Sequence, residues 1–260
     1  MTDPKGTALI TGASSGLGLE LARLFAADGH NLVLVARRED RLRQLADELS
    51  AKHSIVAHVV AADLSDPGSP AVIQEQLESQ GIQVDYLVNN AGFGSTGFFA
   101  KLDHGWEMAQ VQVNMVALTD LTHRFLGPMV QRGRGRVLNI ASTASFQPGP
   151  FMAVYYATKA YVLHFSEALA HELRKSPVTV TAHCPGPTAT EFGEVSGNGK
   201  NRLFQLAVAD AESVCRHAYK SMMSGRAMAV PGLLNWLGAF LVRLSPRVAV
   251  RWLAARLNRP

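Results

Sequence analysis

Cysteine is scarce in this chain: 260 residues hold two, Cys184 and Cys215. Two thiols cannot build a disulfide framework. That excludes the small stapled secreted scaffolds, fits a reducing compartment and leads us to expect a cytoplasmic location. No run of about 20 apolar residues is free of charge, so no membrane-spanning helix is expected. The N-terminus, M-T-D-P-K-G, carries Asp and Lys ahead of a short apolar run and does not read as a secretion signal. Nine histidines are scattered, and neither they nor the cysteines fall at ligand spacing, so no metal is expected. Charge is sparse as well. Charged residues make up 18%, and 25 Lys and Arg against 21 Asp and Glu leave a net +4. That is too mild for a nucleic-acid surface, and no nucleic-acid partner is expected. Internal repeats and low-complexity segments are missing.

Apolar side chains are abundant, at 47%. With this length they suit one large α/β domain with a sizeable core. Short β-prone runs are expected at 7–11, 31–35, 54–60, 84–88, 136–141, 178–183 and 227–230. Helical spacing is expected after Gly16 and at 39–50, 70–80, 107–131, 155–174 and 211–224.

The first run ends in T-G-A-S-S-G-L-G, residues 11–18. A strand, a glycine turn and a helix form the setting of a nucleotide site. Gly12 would make the turn, Gly16 would admit a pyrophosphate, and Gly18 would let helix and strand pack closely. Free N–H groups of the first helical turn would face the phosphates. The second strand ends at Ala36, followed by Arg37 and Arg38. A carboxylate that would hold a ribose 2′-hydroxyl is missing there, and two guanidiniums that could clamp a 2′-phosphate are present. This points to NADP(H), with Arg37 placed first and Arg38 second. Either arginine could instead be only the solvated start of the next helix. Asp63, just past the third strand, either contacts adenine or makes a turn. Asn89 or Asn90, in N-N-A-G with Ala91 and Gly92, could cross-link strands beside the cofactor. Backbone groups at 186–188 could bind a carboxamide, and Thr188 or Thr190 a phosphate.

Tyr155 and Lys159 stand four residues apart, on one face of a helix. An ammonium beside a phenol favours the phenolate, so Lys159 is expected to lower the Tyr155 pKa. A tyrosine tuned in that way can exchange a proton with a substrate oxygen. Ser142, on the loop before the helix, could bond the same oxygen. Asn114 is a buried-looking amide on an apolar helical face and needs a partner. The turn at Thr11, the Asn89 loop and the Ser142 loop all lie beyond carboxyl ends of strands, where open parallel sheets carry their sites.

T-G-A-S-S-G-L-G, N-N-A-G, Asn114, Ser142, Y-Y-A-T-K and P-G-P-T-A-T, in this order, resemble the short-chain dehydrogenase/reductase family over residues 6 to about 190. A-R-R-E-D-R-L and the basic tail look like its general NADP-dependent reductases. The resemblance implies an α/β fold: a Rossmann-like, doubly wound parallel sheet of about seven strands with helices on both faces. It implies an Asn114-Ser142-Tyr155-Lys159 tetrad in which Lys159 bonds the nicotinamide ribose and Asn114 anchors a proton-carrying water. Cofactor contacts are implied at Gly12, Ser14, Ser15, Gly16, Leu17, Gly18, Arg37, Arg38, Asp63, Leu64, Asn90, Ala91, Gly92, Pro185, Gly186, Thr188 and Thr190. A small carbonyl or alcohol substrate and a homodimer or homotetramer are expected. A 3-oxoacyl thioester reductase and a non-catalytic nucleotide sensor are the alternatives.

Residues 1–232 would form the domain, with a lid at 191–207 and loop 94–100 bordering the pocket. The tail, 233–260, is amphipathic and basic. It caps the pocket, contacts a subunit or lies on a membrane.

Overall fold

The computed structural model describes residues 6–197 and 208–259. A seven-stranded parallel sheet runs through it in the order β3-β2-β1-β4-β5-β6-β7. The strands are β1 (Thr7–Thr11), β2 (Asn31–Ala36), β3 (Ala57–Ala61), β4 (Tyr86–Asn89), β5 (Arg136–Ile140), β6 (Thr179–His183) and β7 (Met228–Ala229). β1, β2, β5 and β6 are each buried over four consecutive residues. Such unbroken burial is what a parallel sheet covered on both faces demands.

Helices supply the two covers. α1 (Gly16–Ala27) and α2 (Glu39–His53) lie on one face with α8 (Ala211–Met223). α1 buries Leu21, Ala22, Phe25 and Ala26, a stripe at helical spacing, against Leu42 and Met222. The other face carries α3 (Ser69–Ser79), the long helix formed by α4 (His104–Val111) and α5 (Leu118–Arg132), and α6 (Ala153–Glu172). Ile73, Leu121, Phe125 and Met129 pack there on Leu9, Val33 and Leu87. The doubly wound, three-layer expectation is met.

Several boundaries move for local reasons. α2 runs three residues beyond the expected end and stops where Ser54 turns left-handed, with φ 54°. β3 therefore begins at Ala57 rather than 54. The long central helix is not uniformly α-helical: residues Gln112–Ala117 form a single wider π turn joining α4 to α5. Asn114 sits inside that turn, an irregularity of the kind that gathers at functional positions. α7 (Phe192–Val195) is one short turn. The expected lid at 191–207 lies outside the described residues from 198 onward. Pro246 divides the tail into α9 (Leu233–Leu244) and α10 (Arg247–Asn258), as a missing N–H and a fixed φ require.

Candidate active site

β1 and β4 are neighbours, so the chain leaves the sheet in opposite directions at their ends, and a crevice opens there. The glycine turn fills its floor. Gly12 has φ +68°, and a Cβ on it would stand 2.8 Å from Asn90 Nδ2. A Cβ on Gly18 would strike the Gly12 carbonyl oxygen at 2.3 Å, so only glycine lets α1 start so close to the turn. Asn90 closes the turn by donating from Nδ2 to the Thr11 carbonyl at 2.9 Å, and its backbone N–H donates to Thr11 Oγ1 at 3.0 Å. Asn89 serves the strands instead. Its Nδ2 donates to Asn139 Oδ1 and to Thr122 Oγ1, each at 2.9 Å, tying β4 to β5 and α5.

One cleft of about 1,020 Å³ runs from this floor to the tail. It is lined by every candidate cofactor residue except Gly18 and by every candidate catalytic residue except Asn114. Asp63 and Leu64 lie on its wall, with Asp63 Oδ1 accepting from the Ser65 N–H at 2.9 Å in a local turn. The N-terminus of α1 has no side-chain cap, and Gly16 and Leu17 of its first turn line the cleft. A glycine cradle and an uncapped helix start fit the diphosphate of a dinucleotide.

The two arginines are not equivalent. Arg38 is held at the turn, donating to Ser14 Oγ at 3.1 Å and Ser15 Oγ at 2.8 Å. Arg37 lines the same cleft and adds positive charge near Asp63. Both arginines line the cleft, Arg38 engaged by the serines of the turn and Arg37 beside Asp63. A residue the sequence reading did not single out completes this corner. Glu191 accepts from Arg38 at 3.0 Å and from Arg41 at 2.9 Å. The Arg41 contact foremost, and then Arg38, hold its carboxyl below the usual range. Nothing local to Glu191 in sequence announces partners some 150 residues away.

Thr190 packs its side chain on Gly16, and Thr188 Oγ1 donates to the Gly186 carbonyl at 3.0 Å. Pro185 and Gly186 complete that wall, with Gly186 pressed against Asn235 of α9.

At the other end of the cleft, Ser142 caps a short turn, accepting from the Ala144 N–H at 3.1 Å, and hydrogen-bonds Tyr155. Ser145 binds this loop to α6: its Oγ donates to the Lys159 carbonyl at 2.7 Å. Asn114 donates to the Phe93 carbonyl at 2.9 Å and to Thr158 Oγ1 at 3.0 Å, and accepts from the Phe93 N–H at 3.1 Å. Thr158 in turn donates to the Tyr155 carbonyl at 2.8 Å. Ser145 and Thr158 thus position the tetrad. Both were visible inside the S-T-A-S and Y-Y-A-T-K strings, but their partners were not. Asn114 and Lys159 converge on Gly92, whose ideal Cβ would stand 3.0 Å from Asn114 Oδ1 and 3.5 Å from Lys159 Nζ.

One expectation is corrected. Lys159 does not lower the Tyr155 pKa. Its Nζ donates to the Ile140 carbonyl at 2.7 Å and lies 5.9 Å from the Tyr155 ring centroid. Burial dominates at the phenol and pushes its pKa up, against the pull of the Ser142 hydrogen bond. Burial also brings the Lys159 ammonium down to about 8.

A parallel sheet with a glycine turn at its reversal point, and a Ser-Tyr-Lys group one strand away, define a Rossmann-like oxidoreductase. The comparisons narrow this. The family model described as short chain dehydrogenase matches residues 6–201, and the chain belongs to that family. A short chain dehydrogenase of Pseudocercospora fijiensis is 36% identical over 191 residues, 72% of this chain and 61% of that protein. A very-long-chain 3-oxoacyl-CoA reductase of Pyricularia oryzae is 38% identical over 176 residues, 66% of this chain and 53% of that protein. This chain thus spans less than two thirds of the length of either. Among solved structures, a short-chain dehydrogenase from Sphingobium yanoikuyae in complex with NADPH is 33% identical. Its TM-score is 0.83, covering 92% of this chain and 94% of that one.

Proposed function

We propose that this chain is an NADP(H)-dependent oxidoreductase that interconverts a carbonyl and its alcohol, with Tyr155 as the proton donor and acceptor. The observation that carries this reading is the meeting of Tyr155, Ser142 and Lys159 in the cleft that begins at the glycine turn. The nicotinamide, when bound, supplies or accepts the hydride. Ser142 and Tyr155 hydrogen-bond the substrate oxygen, and Tyr155 gives it a proton as charge develops there. A phenol raised by burial is protonated at working pH and so is ready to donate. Lys159, brought down to about 8, releases a proton readily near neutral pH and can restore the tyrosine. Asn114 holds the Phe93 backbone and the Tyr155 helix in register for this exchange.

The preference for NADP(H) is supported by Arg37 and Arg38 where a ribose-binding carboxylate would stand, and by the NADPH in the Sphingobium structure. Residues 1–232 act as the catalytic domain and 233–260 as its cap. The two free cysteines, both buried, support a reducing, cytoplasmic setting. A homodimer or homotetramer is supported by the outer face of the 104–132 helix and α6. A hollow of about 540 Å³ lined by Met115, Val116, Thr119 and Tyr161 spans them.

The test is Tyr155→Phe with NADPH and a carbonyl panel. Carbonyl reduction should fall by about 10²–10⁴-fold, with NADPH binding by fluorescence retained. Undiminished turnover would overturn the reading. Tight NADPH binding by the native chain with no turnover on any carbonyl would select a nucleotide-sensing protein instead.

A second reading, a 3-oxoacyl thioester reductase, is favoured by the apolar upper wall of the cleft, where Leu234, Leu241, Val242, Leu253 and Leu257 line it. Turnover of acyl thioesters but not of small ketones would select it.

A further inference from the structure

The tail helices are apolar on two faces, one lining the cleft and one turned away from it. Leu234, Gly238, Leu241 and Ser245 recur at helical spacing along α9 and line the cleft, as do Leu253 and Leu257 of α10. Tyr156 fastens this arrangement, donating to Asn258 Oδ1 at 3.1 Å, while Asn258 Nδ2 donates to the Pro150 carbonyl at 3.3 Å. The neighbouring stripe is Leu233, Trp236, Phe240 and Leu244, continued on α10 by Val248 and Trp252. None of these six lines the cleft and all are exposed, Leu244 at 70% and Trp252 at 62%.

The apolar surface does not stop at the tail. Phe98 and Phe99, in the segment that follows β4, are also exposed. Phe98 packs edge-on against Phe151 at 5.1 Å, next to the Pro150 carbonyl that holds α10. An apolar rim therefore extends from α10 past Phe151 to Phe98.

Charge says what it faces. Residues 233–260 contain five arginines, at 243, 247, 251, 256 and 259, and no Asp or Glu. The remaining 232 residues are balanced, with 20 Lys and Arg against 21 Asp and Glu. The whole positive excess of the chain lies on this one segment, and all five arginines are exposed. Cations sit beside the rim aromatics: Arg256 lies 5.4 Å over the Trp252 ring, and Lys101 lies 5.7 Å over Phe98. Aromatic rings with arginine stems at the same level are the make-up of a surface-lying helix at a lipid headgroup layer. No helix of the described residues is long and apolar enough to cross a membrane, so the contact is with the surface alone.

We propose that the outer face of α9 and α10 docks on an anionic lipid surface and turns the mouth of the cleft toward the bilayer. A lipid-soluble substrate would then enter between α10 and the Phe98 loop without crossing water. The test is co-sedimentation of the full-length chain with vesicles of phosphatidylcholine alone, and of phosphatidylcholine and phosphatidylglycerol in equal parts. Binding should require phosphatidylglycerol and weaken at high salt. It should fall on the order of 100-fold in the triple variant Arg243→Gln, Arg247→Gln, Arg251→Gln, whose circular dichroism and melting should match the native chain. Trp252→Glu should also abolish it while leaving NADPH binding intact. Equal binding to both kinds of vesicle, no binding to either, or native binding by Trp252→Glu would overturn the proposal. So would a solution dimer that Trp252→Glu turns into a monomer, since a second copy would then own this face.

Discussion

Glu191 and Arg38 show what a single side chain decides at this site. Their ion pair is partly exposed, and such pairs are weak, about 0–1 kcal/mol. Its position matters more than its strength, because the carboxylate sits on one of the two guanidiniums to which we assign a 2′-phosphate. Glu191→Gln should therefore tighten NADPH binding by about two- to five-fold, in line with a pair of that strength, and leave NADH binding unchanged. Fluorescence titration of both nucleotides checks this, and equal gains for both would refute it. The same corner marks the limit of sequence reading. Tyr155, Lys159, Ser142 and Asn114 were legible because spacing and local strings carry them. The Lys159 bond to the Ile140 carbonyl was not, nor was the burial that raises the Tyr155 pKa. A four-residue interval puts two side chains on one face of a helix, but it does not say which acceptor the longer one reaches.

At the scale of elements, strands and helices were legible in kind and less so in their ends. Short continuous apolar runs, set between helical stripes, locate all seven strands. The left-handed Ser54 and the π turn at Gln112–Ala117 are set by packing and leave no pattern. The junction of β6 and α8 was not anticipated either. His183 ends β6 fully buried, with Nε2 3.1 Å from His217 Nδ1 on α8. Burial foremost, and then His217, bring the His183 pKa down to about 3. Above pH 6.5 neither the folded nor the unfolded chain protonates it, and its contribution to stability is full. As pH falls from 6.5 toward 3 only the unfolded chain takes the proton, so stability is lost, by about 2 kcal/mol at pH 5. Urea unfolding at pH 7.5 and pH 5 should show that loss in the native chain and about 2 kcal/mol less of it in His183→Gln. Equal losses in the two would refute the assignment.

For the molecule as a whole, the doubly wound parallel sheet was legible only through the family resemblance, and its strand order, with the reversal between β1 and β4, was not, because strand adjacency is non-local. The outward faces were less legible still. Val116 and Val130, on the long central helix, are exposed hydrophobics on the face where we place a subunit contact. Light scattering should give the mass of a dimer or tetramer, and Val116→Glu should reduce it; a native monomer would refute this.

Glu191 and Phe192 are consecutive. The first carries the carboxylate held by Arg38 and Arg41, and the ring of the second leans on Tyr155 at 5.1 Å between centroids. Neighbouring Cα atoms are about 3.8 Å apart and their spacing is fixed. One short stretch of backbone therefore touches both the arginine corner of the cleft and the ring of Tyr155.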